Sequence, residues 1–396
     1  MRIALIADVF PPLRSSGAVQ LRDLSLEFVK HGHRPTVMIP SSDIDKPWMI
    51  EDMGGVQVLR LKAPRTKDTN YVRRTIGEFL MPFAMKLNLR KSPLAEECWD
   101  GVVWYSPTIF LGPIASALKK ASTCRSYLII RDIFPEWAVD MGLLGRGLPY
   151  HFFKAIERYQ YSVADVIGVQ TSSNLAYFNH WVSRPKRRLE VLQNWLADAP
   201  NVGCSITVSE GPLAGRTIFV YAGNMGVAQG MNVLLDLAER LLIQRDIGFL
   251  FVGRGSDAQS LREEARTRGL DNVLFYDEID PSEIPGLYAQ CHVGIVALDQ
   301  RHKTHNIPGK FLTYMQAGLP VLASINPGNN LVELIAQENV GRACTDHSVV
   351  TLELLAKDLV SEISAKFDFS SRCRALSKKL FSSEIAVKQI VWALKN

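Results

Sequence analysis

Residues 2–40 read RIALIADVFPPLRSSGAVQLRDLSLEFVKHGHRPTVMIP, and this stretch decides the fold. RIALIADVF is a continuous apolar run of strand length, the pattern of a strand buried on both faces of a parallel sheet, and PPLRSSGA breaks it. From Val19 to Lys30 the apolar residues Val19, Leu21, Leu24, Leu26, Phe28 and Val29 recur at a mostly helical spacing. HGH ends that helix and RPTVMIP begins a second strand. The unit is therefore βαβ, and a loop containing Gly17 leaves the carboxyl end of its first strand, where open α/β sheets bind ligands.

The same grammar continues along the chain. GVQVLRL, GVVWYSP, SYLIIRD and DVIGVQTSS read as short buried strands, each followed by a turn or helix, without a GxGxxG signature. A second register of the same kind starts near residue 216: RTIFVYAGNMG ends in a Gly-Asn turn, MNVLLDLAERLLIQ is an amphipathic helix, and GFLFVGRGSD is a strand with its own glycine-rich end. NVLFYDEI, VGIVAL and PVLASI complete a second sheet. The turn-rich stretch between them sets the expected boundary: one α/β domain over 1–198, another over 199–375, and a C-terminal helical segment, 376–396, returning to the first domain. In SSEIAVKQIVWALKN a serine caps that last helix, whose apolar face is read as Ile385, Ile390, Val391 and Leu394.

Composition narrows the class. A chain of 396 residues with 47% hydrophobic content fills two ordinary cores, because single cores rarely exceed roughly 250–300 residues. A net charge of +5 is too weak for a dedicated nucleic-acid binder but suits an anionic ligand or membrane surface. The six cysteines form no CxxC pair and have no histidine-rich neighbour, which reads as reduced, cytosolic and metal-free. The apolar run before Pro11 is too short for a signal peptide, and no stretch approaches the roughly 20 apolar residues of a membrane span. Asp43 and Asp45 form a DxD, the pattern of metal-dependent transferases, but they stand in an early polar loop and are read as a chance match.

The order of elements and the turns resemble the GT-B glycosyltransferases, two Rossmann-like domains facing a central cleft, and in particular the retaining family 4 enzymes that use nucleotide sugars. FPPLRSSGA is similar to that family's first-strand loop, Asn194 and Trp195 to its interdomain signature, YAGNMGVAQG to its donor-domain opening, and PGKFLTYMQAGLPVLAS to its nucleotide-sugar motif. LIIRDIFPEWAVDMG resembles the O-antigen and capsule branch that includes N-acetylfucosamine (L-fucosamine) transferases.

That resemblance implies a chemistry. A glycosyl donor leaves a nucleoside diphosphate behind, and a lysine beside helix N-termini stabilises the developing charge without metal or cofactor. Lys310 would contact the diphosphate, with Pro308 and Gly309 shaping its turn and the amides of Asn330 and Leu331, next to Glu333, offering donors. Gly17, Asn224, Gly226 and Arg254 complete the expected donor side. Two glutamates usual in the family are replaced, here by His305 and Thr313, and the usual arginine and lysine near YAGNMGVAQG are missing, with Asn224, Ala228 and Gln229 in their neighbourhood. In the first domain, Asp132 and Glu136 are the acidic candidates for acceptor chemistry; Glu136 has the alternatives of capping the next helix or pairing with Arg131. Residues 73–91 mix Ile76, Phe79, Leu80, Phe83 and Leu87 with Arg73, Arg74, Lys86, Arg90 and Lys91, which suits either anionic lipid or a helix pair interrupted by Pro82.

The sequence reading is thus a cytoplasmic enzyme, peripheral on the inner membrane face, moving an N-acetylated 6-deoxyhexosamine from a UDP-sugar to a polyprenyl-diphosphate-linked acceptor. The alternatives are a nucleotide-sugar epimerase of the same fold, working on donor alone, and a non-enzymatic two-domain ligand-binding protein.

Overall fold

In the computed structural model, residues 1–13, 15–67, 70–183, 187–300 and 307–396 are described. The chain divides into two compact units, Met1–Ala197 with Ser383–Asn396, and Asp198–Ser382.

The first unit runs β1 (Arg2–Ile6), α1 (Ser16–Lys30), β2 (Arg34–Ser41), β3 (Trp48–Met53), β4 (Val56–Lys62), α2 (Tyr71–Leu89), β5 (Gly101–Ser106), α3 (Gly112–Ser122), β6 (Arg125–Ile130), α4 (Glu136–Asp140), α5 (Leu148–Val163), β7 (Val166–Val169), α6 (Asn179–Val182) and β8 (Arg188–Val191). Its sheet has the order β3-β4-β2-β1-β5-β6-β7-β8, parallel except for the antiparallel β3-β4 pair. Alternate residues of each strand face opposite layers, as the period of two requires. Ile6, Met38, Trp104 and Ile130 meet α2, α3 and α5 in one core cluster, while Leu5, Val37, Val103 and Ile129 meet Leu24 and Phe28 of α1 in the other. Both faces are covered, which is why these strands read as unbroken apolar runs.

The second unit runs β9 (Thr217–Ala222), α7 (Asn232–Arg240), β10 (Ile247–Val252), α8 (Ala258–Thr267), β11 (Val273–Tyr276), α9 (Ile284–Tyr288), β12 (Val293–Ala297), α10 (Gly309–Ala317), β13 (Val321–Ser324), α11 (Asn330–Glu338), β14 (Gly341–Cys344), α12 (Val349–Ser364) and α13 (Phe369–Leu380). The sheet order is β11-β10-β9-β12-β13-β14, parallel throughout. The closing helix, α14 (Ser383–Lys395), packs against α1 in the first unit. It buries Ala386, Val387, Ile390, Ala393 and Leu394, whereas Ile385 stays 37% exposed. Ala386 and Ala393, which an apolar-face reading passes over, belong to the buried face.

Residues 71–89 form one helix and not a broken pair: Asn70 caps it by accepting from the Arg73 amide, and Pro82 lies inside. Pro82 removes one ladder bond. Its ring is buried, as are Met81 and Met85 beside it, so packing offsets that loss.

Candidate active site

Ligands of open α/β sheets settle outside the carboxyl ends of the strands, where the strand order reverses. In the second unit that point is β9, because β10 lies on one side of it and β12 on the other. The residue after β9 is Gly223, with φ of +135°. A Cβ there would lie 2.9 Å from Lys310 Cε and 3.1 Å from its Nζ. The backbone angle calls for glycine, and a Cβ would also push the end of the Lys310 side chain aside.

Lys310 is in the first turn of α10, after the N-cap Pro308 and Gly309, and no side chain caps that helix. Its Nζ lies 4.6 Å from the centre of the Tyr221 ring. Among the described residues no carboxylate pairs with it, and burial alone pulls its pKa down from 10.5 to about 8. A cation held without a counter-ion beside the positive end of a helix is arranged to receive an anion.

The neighbouring loops are stitched to this point. The Gly223 amide donates to Val252 O at 2.8 Å, the Met225 amide to Arg254 O at 2.7 Å, and the Asp299 amide to Ala228 O at 2.9 Å. Gly253, with φ of +143°, packs so tightly that a Cβ would come within 2.1 Å of Gly223 O. Gln229 Oε1 accepts from the Gly226 amide at 3.1 Å and from Asn224 Nδ2 at 3.2 Å, so these residues of the expected donor side brace one turn. The structure therefore brings Gly223, Asn224, Gly226, Pro308, Gly309 and Lys310 to one sheet edge.

Other expected residues have different engagements. Leu331 does not offer its amide, because Asn329 Oδ1 accepts it at 3.0 Å as the cap of α11. Glu333 is exposed in the first turn of that helix. Thr313 donates to Lys310 O at 2.9 Å, a bond back along its own helix that commits its proton but leaves oxygen lone pairs. Arg254 is exposed and pairs with Glu278 at 3.1 Å. His305 lies outside the described residues.

In the first unit, Gly17 belongs to the first turn of α1, and the space where its Cβ would stand is bounded by Tyr105 Oη at 3.1 Å. Asp132 is exposed two residues beyond β6. Glu136 starts α4 and takes neither Arg131 nor a capping bond; its carboxylate accepts from Tyr150 Oη at 2.8 Å and Lys154 Nζ at 2.9 Å. Burial raises its pKa, but Lys154, Tyr150 and Arg146 outweigh that and hold it below the usual carboxylate value. Arg131 instead donates to Gln20 Oε1 at 2.6 Å and lies over the Tyr105 and Trp195 rings. Among the described residues no group of three potential metal ligands occurs, and Asp43 accepts from Ser42 Oγ at 2.8 Å.

Residues 216–360 match the family described as Glycosyl transferases group 1. WbjE of Pseudomonas aeruginosa, named as a glycosyltransferase, is 24% identical over 310 residues, covering 75% of this chain and 74% of that one. WcaI of Escherichia coli K12, named as a glycosyl transferase of colanic acid biosynthesis, is 23% identical over 275 residues, covering 63% of this chain and 62% of that one. The crystal structure of HepE from Anabaena in complex with UDP and glucose superposes with a TM-score of 0.67 at 15% identity, over 100% of this chain and 99% of that one. The protein has the GT-B fold, two Rossmann-like α/β units with parallel sheets. The stretch similar to glycosyl transferases group 1 falls within its second unit, which also holds Lys310.

Proposed function

We propose that this protein is a retaining, metal-independent family 4 glycosyltransferase, which moves a sugar from a UDP-linked donor to a polyprenyl-diphosphate-linked acceptor during synthesis of a bacterial surface polysaccharide. The observation that carries this reading is Lys310: an unpaired ammonium among the described residues, half-buried across Gly223 at the strand reversal of the second sheet. As the glycosidic bond breaks, negative charge gathers on the departing diphosphate, and a preorganised ammonium beside the α10 N-terminus stabilises that charge more than it stabilises the ground state. Front-face attack, in which the departing phosphate accepts the acceptor's proton, then needs no protein nucleophile. The donor sugar is an N-acetylated 6-deoxyhexosamine on the strength of RDIFPEWAVDMG.

The acceptor's lipid is supported by the surface of α2. Tyr71, Val72, Ile76, Phe79, Leu80, Phe83 and Leu87 are 42–86% exposed, and Arg73, Arg90 and Lys91 are exposed with them. Phe79 meets Phe152 of α5, itself 43% exposed, with ring centres 6.1 Å apart, and Leu148 is 85% exposed. An apolar patch of this extent with a basic rim suits an anionic leaflet. No helix among the described residues is long and apolar enough to cross a membrane, and the contact we propose is a peripheral one. The test is a panel of nucleotide sugars incubated with and without lipid-diphosphate sugars. Transfer that requires the lipid acceptor upholds the reading; conversion of donor alone makes the protein an epimerase, and binding without turnover a ligand-binding protein.

A further inference from the structure

The first sheet has the same kind of reversal as the second. β1 is flanked by β2 on one side and β5 on the other, so its carboxyl end is the switch point of that unit. The exit is fixed by the Ala7 amide donating to Met38 O at 3.1 Å. The next residue is Asp8. One of its carboxylate oxygens, Oδ1, is buried and has no hydrogen-bond partner among the described residues. No cation pairs with it there either; Lys67 and Arg74 act on it only through space, against Glu78. A buried acceptor left empty costs free energy that the fold recovers nowhere visible, and such groups in native proteins call for an explanation.

A carboxylate with one oxygen unpartnered at this position selects against a diphosphate, which it would repel, and for a neutral polyol, whose hydroxyls donate strong hydrogen bonds to it. The second unit has the complementary arrangement at its own reversal, a cation over glycine. We propose that Asp8 is an acceptor-binding residue: its unpartnered Oδ1 takes a hydrogen bond from a hydroxyl of the acceptor sugar. This inference rests on the transferase reading above and adds to it the residue that holds the second substrate. Asp132, exposed past β6 two strands away, remains the outer acidic candidate of the same sheet edge.

The protonation state of Asp8 makes the idea measurable. Burial lifts its pKa to about 6; Lys67 and Arg74, from the β4–α2 connection and α2, pull the other way, and Glu78 of α2 adds to the rise. Tyr105 of β5 also senses Asp8 and, from the end of β6, Arg131 and Asp132. The ionised carboxylate is the better acceptor of a hydroxyl proton, so acceptor use should increase as pH rises through about 6.

The experiment compares the wild type with Asp8→Asn and Asp8→Glu, using the donor and lipid-diphosphate acceptor found active in the panel. Loss of one hydrogen bond to a charged group predicts a fall of about 10- to 100-fold in kcat/KM for the acceptor. The donor KM and UDP affinity should stay within about twofold, donor hydrolysis to water should persist, and the rise through pH 6 should vanish in Asp8→Asn. Asp8→Glu, whose carboxylate is displaced by a methylene, should not restore acceptor use. Acceptor kinetics and pH profile matching the wild type in Asp8→Asn, or parallel loss of UDP binding, would overturn the assignment. A wild type that transfers to no acceptor sinks the transferase reading, and this inference with it.

Discussion

Lys310→Met keeps the aliphatic stem and removes the charge, and its consequences run in opposite directions for stability and for catalysis. Burial lowers the Lys310 pKa from 10.5 to about 8. At about 1.4 kcal/mol per pKa unit, the folded protein holds this ammonium at a cost of about 3 kcal/mol, a ceiling because part of the side chain keeps water contact. The sign follows from linkage: a depressed lysine pKa means that the unfolded chain binds the proton more tightly between pH 8 and 10.5, so stability rises with pH across that window, and below pH 8 the cost is present in full. Lys310→Met should therefore raise thermal stability at pH 7 and flatten its dependence on pH above 8. The same variant should lower turnover by about two to three orders of magnitude, as when one preorganised transition-state donor is removed. UDP binding to the wild type should take up protons near pH 8, because a bound diphosphate returns the lysine pKa upward. Thermal unfolding from pH 6.5 to 10 and titration calorimetry with UDP in two buffers of different ionisation enthalpy measure these effects. A destabilised Lys310→Met with wild-type UDP affinity and turnover would refute the reasoning.

Four further outcomes follow from the same geometry. Gly17→Val sets a branched side chain against Tyr105, which stands 3.1 Å from the missing Cβ, and should destabilise the first unit by about 1–3 kcal/mol; unchanged thermal unfolding would show that Tyr105 can move aside. If Lys310 and helix N-termini meet the diphosphate charge, as proposed, EDTA should leave transfer intact, and loss restored by magnesium or manganese would return attention to Asp43 and Asp45. Replacing Arg73, Arg74, Arg90 and Lys91 by glutamine removes about 1 kcal/mol of attraction per residue near an anionic surface; the variant should leave anionic vesicles, while donor hydrolysis continues, and equal binding to neutral and anionic vesicles by both forms would refute the lipid contact. The raised Asp8 pKa means that its ionised form opposes folding, fully above pH 6 and not at all below the ordinary 3.8, so Asp8→Asn should stabilise the protein at pH 7 by up to about 3 kcal/mol; a less stable variant at that pH would mean the carboxylate has a partner in solution.

The sheets were legible because burial on both faces leaves an unbroken apolar run, as RIALIADVF and RTIFVYAG show. β14 was not: GRAC is four residues at a sheet edge, half-buried, with an arginine in the middle, and its pairing with β13 comes from the sheet and not from its own composition. β3 is illegible for the same reason, since WMIEDM carries two acids and no fully buried residue. At the site, Lys310 and its turn could be read from residues next to one another in sequence. Gly223 as the glycine beneath the lysine could not, since the two stand 87 positions apart and meet only when β9 and β12 pair. Leu331 shows the reverse failure: its amide looked available in a turn, but the asparagine two positions earlier bends back to take it.

Asp8 escaped the sequence reading because an acid at the end of an apolar run resembles ordinary punctuation of a strand. Its significance appears only when both oxygens are followed into the fold and one of them is buried without a partner. The two units then present an informative contrast. Each places an ill-solvated charge at the strand reversal of its own parallel sheet, Asp8 after β1 and Lys310 across the exit of β9, and each charge opposes folding at neutral pH. Stability alone would favour Asn at the first position and Met at the second. Opposite signs make sense if the sites take different chemistry: a polyol gives hydrogens to a carboxylate, and a departing diphosphate gives negative charge to an ammonium. On the proposed reading, one charge serves each of the two substrates of a transfer, and that would account for charges that neither fold requires.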